Sequence, residues 1–179
     1  MLQIIIPDVE MFDEQSQSFF TLKGQTLQLE HSLVSLSKWE SKWCKPFLSK
    51  ETKTLEETKD YIRCMTITQN VDPEIYNRLS NSNIEDINDY IDAPMTATTF
   101  NNRNQSSSKE IITSELIYYW MISFNIPMEC QKWHLNRLLT LIRVCNIKNT
   151  PPKKMGKRDI ASQYASLNAA RRKQFNTKG

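Results

Sequence analysis

The sequence predicts a mainly α (α+β) protein: a small N-terminal β-hairpin or sheet, then a multi-helix bundle, then a basic C-terminal tail. Three observations carry that expectation. Glycine is scarce, three in 179 residues, and hairpin-type turn signals are few, which disfavours an all-β barrel or sandwich. Capping residues repeatedly stand three positions ahead of glutamate at the head of apolar runs with helical spacing. The charge also changes sign along the chain. From Pro151 onward eight basic residues face the single acid Asp159, a net +7, so a chain of net charge +3 carries −4 in the remainder. The expected division is one helical domain over 1–149, with a mobile loop at about 95–108, and a basic linker with a marginal tail helix over 150–179.

Each element has a local reason. Leu2–Pro7 is rich in β-branched isoleucine and stopped by proline, the pattern of a short strand. Asp13–Ser18 reads as a polar turn, Phe19–Leu22 as a returning strand, Gly24 as the end of that unit and Thr26–Leu29 as a third strand. Helical spacing follows through Leu33, Leu36, Trp39 and Trp43 until Pro46, and the two tryptophans, four apart, share a face that should anchor the core. Thr54 and Glu57 make a capping-box spacing for a helix to Met65. Asp72-Pro73 opens a short helix, and Ser82 with Glu85 marks a further one that Pro94 closes. After the polar loop, Ser107 and Glu110 have the spacing to start the next helix. Its stretch from Leu116 to Phe124 is apolar nearly all round, so it is expected in a core or under a partner. Pro127 breaks it, and a second helix places Leu135, Leu138, Ile142 and Cys145 on one stripe. Thr150-Pro151-Pro152 ends that helix. The alanine-rich segment from Ile160 to Gln174 favours a tail helix with a thin apolar side of Ile160, Tyr164 and Leu167.

Composition narrows function more by exclusion than by assignment. No apolar run reaches the roughly 20 residues of a membrane span. The opening MLQIIIPDVEMFDE has no basic leader, and the four cysteines, Cys44, Cys64, Cys130 and Cys145, make no disulfide framework, so an intracellular protein is expected. There is no Gly-rich phosphate loop, no Gly-x-Ser-x-Gly elbow and no His-Glu-x-x-His pair. Cys130 and His134, four apart, would face the same way on a helix, with Cys145 further along and His31 elsewhere. A metal needs three or four converging ligands, so a packing role is expected and no metal, cofactor or catalytic residue is assigned. The carboxylates Glu56, Glu57 and Asp60, and again Glu85, Asp86 and Asp89, read as solvated helix faces near N-termini.

Partner binding is the remaining class. The aromatic residues Tyr118, Tyr119, Trp120, Phe124 and Trp133 offer apolar surface, and Arg171, Arg172 and Lys173 offer a basic end able to reach protein or phosphate. Self-association through either is also open at this point.

Three stretches carry a family resemblance: TLQLEHSLVSLSKWESKWCKPFLS, YIRCMTITQNVDPEIYNRL and SELIYYWMISFNIPMECQKWHLNRLLTLIRVCNIKN. Together with the closing NAARRKQFNTKG, the chain from about Thr26 onward resembles tail assembly chaperones of tailed bacteriophages with a siphovirus-like tail. The gene for such a protein commonly lies ahead of the tape-measure gene. The resemblance implies a small, mostly helical, non-enzymatic protein. Its partner would be the tape-measure protein, with other tail proteins, in the host cell cytoplasm and not in the mature virion. Many such chaperones also have a frameshifted longer form with an extra C-terminal domain; by that resemblance a chain ending in a basic tail would correspond to a short form or to a single-product variant. The competing expectation is a small nucleic-acid-binding or packaging accessory protein acting through the basic tail.

Overall fold

The computed structural model describes residues 1–14, 17–100, 110–151 and 156–176, and the chain divides into two compact units, Met1–Asn146 and Ile147–Gly179. The fold is α+β and mainly helical. Among the described residues four strands come first: β1 (Leu2–Ile6), β2 (Val9–Asp13), β3 (Ser18–Leu22) and β4 (Gln25–Leu29). β1 pairs antiparallel with β4 and β2 with β3. Leu2 lies opposite Leu29, Ile6 opposite Gln25, Val9 opposite Leu22 and Asp13 opposite Ser18. This is one register throughout. The two pairs are therefore the halves of a single long hairpin, interrupted only at a neck formed by Pro7-Asp8 and Lys23-Gly24.

The neck corrects two sequence expectations. Gly24 does not end the strand unit; it sits in the middle of it. Pro7 cannot donate to the ladder, and the Asp8 carboxylate accepts the Gly24 N–H instead, at 2.5 Å. The Arg78 guanidinium closes the other side, donating to the carbonyls of Lys23 and Pro7. A Cβ at Gly24 would lie 2.1 Å from the Ile6 carbonyl oxygen, so only glycine fits. The strand β2 lies outside the sequence expectation, because the apolar residues of Val-Glu-Met-Phe-Asp stand between acids and ahead of a polar turn, and their cross-strand partners are unknown from the sequence. The turn expected at Asp13–Ser18 narrows to the tip between β2 and β3, where Gln17 has a φ of 47°; Gln15 and Ser16 lie outside the described residues.

The helices follow their caps. Helix α1 (Leu33–Trp43) starts at Ser32, whose hydroxyl accepts from Ser35 N, and stops at Cys44 in the left-handed region, φ 52°. Helix α2 (Leu55–Met65) has the expected box: Thr54 N donates to Glu57 Oε2 at 2.8 Å and Glu57 N to Thr54 Oγ1 at 3.2 Å. A 3-10 helix, Pro73–Arg78, follows its Asp72 cap. Helix α3 (Asn81–Asp92) is capped by Ser80 with Asn83, not by Ser82 with Glu85, because the asparagine amide can close the box as well as a carboxylate.

Helix α4 (Ser114–Ser123) starts later than expected, at the Thr113 cap. Glu40 gives the reason. Its buried carboxylate accepts Ser114 N at 2.7 Å and Phe47 N at 2.8 Å, fixing the first turn of α4 from 74 residues away. Ser107, and with it residues 101–109 of the expected loop, lies outside the described residues. After α4 come a 3-10 helix (Met128–Lys132), α5 (Leu135–Asn149) and, in the second unit, α6 (Lys157–Phe175). Pro152–Met155 of the expected linker and Thr177–Gly179 are outside the described residues.

The first unit has two cores that share α1. In one, Ile4, Ile6, Leu27 and Leu29, alternate residues of β1 and β4, bury against Trp39 of α1, Tyr61, Ile62 and Met65 of α2, and Ile87 and Tyr90 of α3. In the other, Leu33 and Leu36 of α1 pack with Ile117 and Met121 of α4 and with Leu135, Leu138 and Ile142 of α5. Trp39 anchors as expected, its indole N–H donating to the Glu57 carbonyl; Trp43 stacks beside it at 6.2 Å, half-buried. Phe47 packs against both cores.

Candidate interaction surface

Three surfaces come out of this architecture, and the first is α4. Its sequence, SELIYYWMIS, is apolar over most of the barrel, so burial is decided by packing and not by pattern. Ser114, Ile117 and Met121 point into the second core. Tyr118, Trp120, Phe124 and Trp133 are half-buried along the rim of that core. The Tyr118 hydroxyl donates to Gln131 at 2.9 Å, and Arg137 lies over the Trp133 ring at 4.2 Å. Tyr119 alone of the five expected aromatics stands out, 63% exposed, with Ile122 beside it at 67%. These two are three apart and share a helical face. Ile111, in the segment leading to α4, is also exposed. Sequence reasoning passed over Ile111 and Ile122 because an all-apolar helix gives no sign of which side lies outward.

The second surface is the hairpin beyond the neck, here called the arm. Val9, Met11, Phe12, Phe19 and Phe20 are all exposed there. Cross-strand partners lie on one face, so Val9/Leu22 and Met11/Phe20 form one apolar ladder. Phe12 and Phe19, with rings 5.0 Å apart, sit on the other face. The alternation in Val-Glu-Met is the sequence signal for this strand.

The third is α6, where every described side chain is exposed. Successive helical residues are about 100° apart. Ile160, Tyr164, Leu167 and Phe175 therefore fall on one stripe that also holds Arg171, while Arg172 and Lys173 fan away round the barrel.

The buried polar groups are structural in their bonding. Cys130 and His134 do not share a helix, because the chain between them is 3-10 and then extended at Trp133. His134 turns instead to the first core: its Nε2–H donates to the Tyr90 carbonyl at 2.9 Å and its Nδ1 accepts Asn136 N. Its ring lies 5.1 Å from that of His31, whose Nδ1 is 2.5 Å from the Tyr61 hydroxyl. Burial, reinforced by the neighbouring His134, lowers the His31 pKa to about 4, and burial lowers His134 against the pull of its Tyr90 bond.

Glu57 and Asp60, expected on a solvated face, are buried. Glu57 is taken up by its cap and by Lys45, at 2.6 Å, and these hydrogen bonds hold its carboxyl below the usual range. Burial works to raise Asp60, but the bonds from Lys42 and the Trp43 indole outweigh it. Glu56, Glu85, Asp86 and Asp89 are exposed.

Among the described residues no three His, Cys, Asp or Glu side chains converge as a metal would require, and no helix is long and apolar enough to cross a membrane. Comparison with family models, with curated proteins and with solved structures returns no match.

Proposed function

We propose that the chain is a non-enzymatic tail assembly chaperone that holds a tape-measure protein during assembly of a siphovirus-like phage tail, in the host cytoplasm. The resemblance of the α1, α2 and α4–α5 stretches motivates the reading. The observation that carries it on the molecule is the outward pair Tyr119 and Ile122 on a helix whose opposite side, Ser114, Ile117 and Met121, is buried in the second core. A long helical client exposes repeated apolar positions before the tail tube covers it. A rigid helix offering an aromatic and an aliphatic side chain, bordered by the half-buried Tyr118 and Trp120, suits such a client and does not have to unfold to bind it. Co-expression with the tape-measure protein encoded alongside tests this. The wild-type chain should raise that protein's soluble yield several-fold, and Y119S/I122S should lose the gain while keeping the wild-type unfolding midpoint. An unchanged yield with the wild-type chain would sink the reading.

The runner-up, nucleic-acid binding, is favoured by the five basic residues of α6. Their fanned arrangement supports it less well, since a helix seated on a phosphate backbone gathers its cations on one side. Salt-titrated binding to duplex and single-stranded DNA, repeated on a chain truncated after Thr150, separates the two: a steep salt slope lost on truncation would favour it.

A further inference from the structure

The first turn of α5 is held by groups from outside it, and one of them can take up a proton. Leu135 N donates to the His31 carbonyl at 2.7 Å, and the His134 carbonyl accepts Leu138 N at 3.1 Å, which makes His134 the capping residue. The usual cap is a short oxygen-bearing side chain. Here it is an imidazole, whose Nδ1 accepts Asn136 N at 3.3 Å. The two partners fix the tautomer: a backbone N–H can only donate, so Nδ1 carries the lone pair, and Nε2–H donates to the Tyr90 carbonyl. A proton can therefore enter only at Nδ1. There it destroys the cap and sets a positive charge at the positive end of the helix dipole.

The residue that this cap fixes is itself a hook. Asn136 Nδ2 donates to the carbonyls of Ile91 and Ala93, at 2.9 Å each, where α3 ends. From there residues 94–100 run as a strap beside α5, and at the far end the Arg143 guanidinium lies 4.0 Å from the centre of the Phe100 ring. A shallow cleft of about 360 Å³ is lined by Thr96 and Thr98 of the strap and by Leu139 and Thr140 of α5. The strap is under load at its root, because Met95 has a φ of 48°, in the left-handed region that a Cβ disfavours.

The groups around the cap leave the proton little help. The His31 ring is 5.1 Å away, its Nδ1 committed to the Tyr61 hydroxyl of α2, and the Tyr90 ring of α3 stands edge-on at 4.9 Å. The Glu30 carboxylate attracts a charge on His134, but it already binds the Tyr90 hydroxyl at 2.7 Å and the Met1 amine at 3.2 Å, and that amine repels the same charge. Burial decides the balance and holds His134 below the usual imidazole range.

We propose that His134 is a proton-operated latch for the strap. Protonation at Nδ1 frees the Asn136 N–H and the first turn of α5 loosens. Asn136 then lets go of the Ile91 and Ala93 carbonyls, and residues 94–100 lift from α5 while both cores stay closed. What opens is the side of α5 that carries Leu139 and Thr140. The latched state refuses a proton that the lifted state, with His134 in water, accepts at about pH 6.5. The lifted population therefore grows as pH falls below that value, by at most about tenfold per pH unit for one proton. The device does not depend on the chaperone reading.

NMR on the full chain, taken from about pH 7 to about pH 5.5, tests it. Protection of the Asn136 amide, corrected for the intrinsic pH dependence of exchange, should fall several-fold. The Arg143 side-chain protons, shifted by the Phe100 ring, should move toward their ordinary positions. Both changes should share the midpoint of the His134 ring titration, below about pH 6.5, while the far-UV circular dichroism stays constant. H134N keeps a cap acceptor and does not titrate, so it should hold both readings constant. N136A keeps the cap and removes the hook, so its Arg143 protons should sit near their ordinary positions already at neutral pH. Unchanged Asn136 protection in the wild type overturns the proposal, as does an Arg143 shift that does not follow it. So do a His134 midpoint different from theirs, the same changes in H134N, or wild-type Arg143 shifts in N136A. The shared midpoint in the wild type decides even where H134N fails to fold.

Discussion

The β1–β4 and β2–β3 pairs are halves of the same hairpin, five residues per strand in a single register, and they have opposite fates. In the first, Leu27 and Leu29 are fully buried; in the second, Phe19 is 75% exposed. Strand propensity does not separate them, since both are rich in β-branched and aromatic residues. What separates them is cover. α2 and α3 close over one half, while beyond the neck no element of the first core lies over the ribbon's outer side. Pairing makes a strand, and only a second layer makes it a core.

That contrast can be broken in measurable ways. The largest expected effect is Leu27→Ala, which empties a position in the first core and should cost about 2–5 kcal/mol in a urea unfolding experiment. Acidification comes next. The His31 pKa is lowered to about 4 from 6.5, so between those values the unfolded chain binds a proton that the folded one refuses. Stability is therefore full above about pH 6.5 and falls as pH drops toward 4, by about 2 kcal/mol at pH 5. The buried carboxylates Glu57 and Asp60 would join only below about pH 4. H31Q should flatten the profile between pH 7 and 5. Gly24→Ala strikes the junction of the two halves. Its Cβ collides with backbone, so it should cost about 1 kcal/mol or more and speed amide exchange in β2 and β3 ahead of that in β4. Phe20→Ser should be the smallest, within about 0.5 kcal/mol, because the side chain is already in water. A Phe20→Ser loss as large as that of Leu27→Ala would mean that the arm is covered in the isolated chain.

The helices were legible because their signals are local. Thr54 and Glu57 stand three apart and close the box at the expected place; Asp72-Pro73 likewise starts its short helix. The failures trace to partners distant in sequence. Where α4 starts depends on Glu40, which no reading of residues 107–114 contains. Whether Val9–Asp13 is a strand depends on Leu22 and Phe20 opposite it. Gly24 follows an apolar run and so looks like the end of a unit, but its role is to let Asp8 and Ile6 approach. Cys130 and His134 looked like a pair only while a helix was assumed between them. For the surfaces, five aromatics were legible as a group; which one points outward was not, since α4 has no polar side to orient it.

Phe47 touches both cores, stacked on Tyr61 at 3.8 Å between ring centres and set edge-on against Trp39 at 5.1 Å. Its amide is held by the same Glu40 that starts α4. Neither core can loosen around this residue without disturbing the other, so the body has no stable half to fall back on. It should melt in one cooperative step: tryptophan fluorescence, from Trp39 and Trp43 at the first core and Trp120 and Trp133 at the second, should change in a single transition with the same midpoint as helicity. Damage by mutation to one core would then be sensed throughout the first unit.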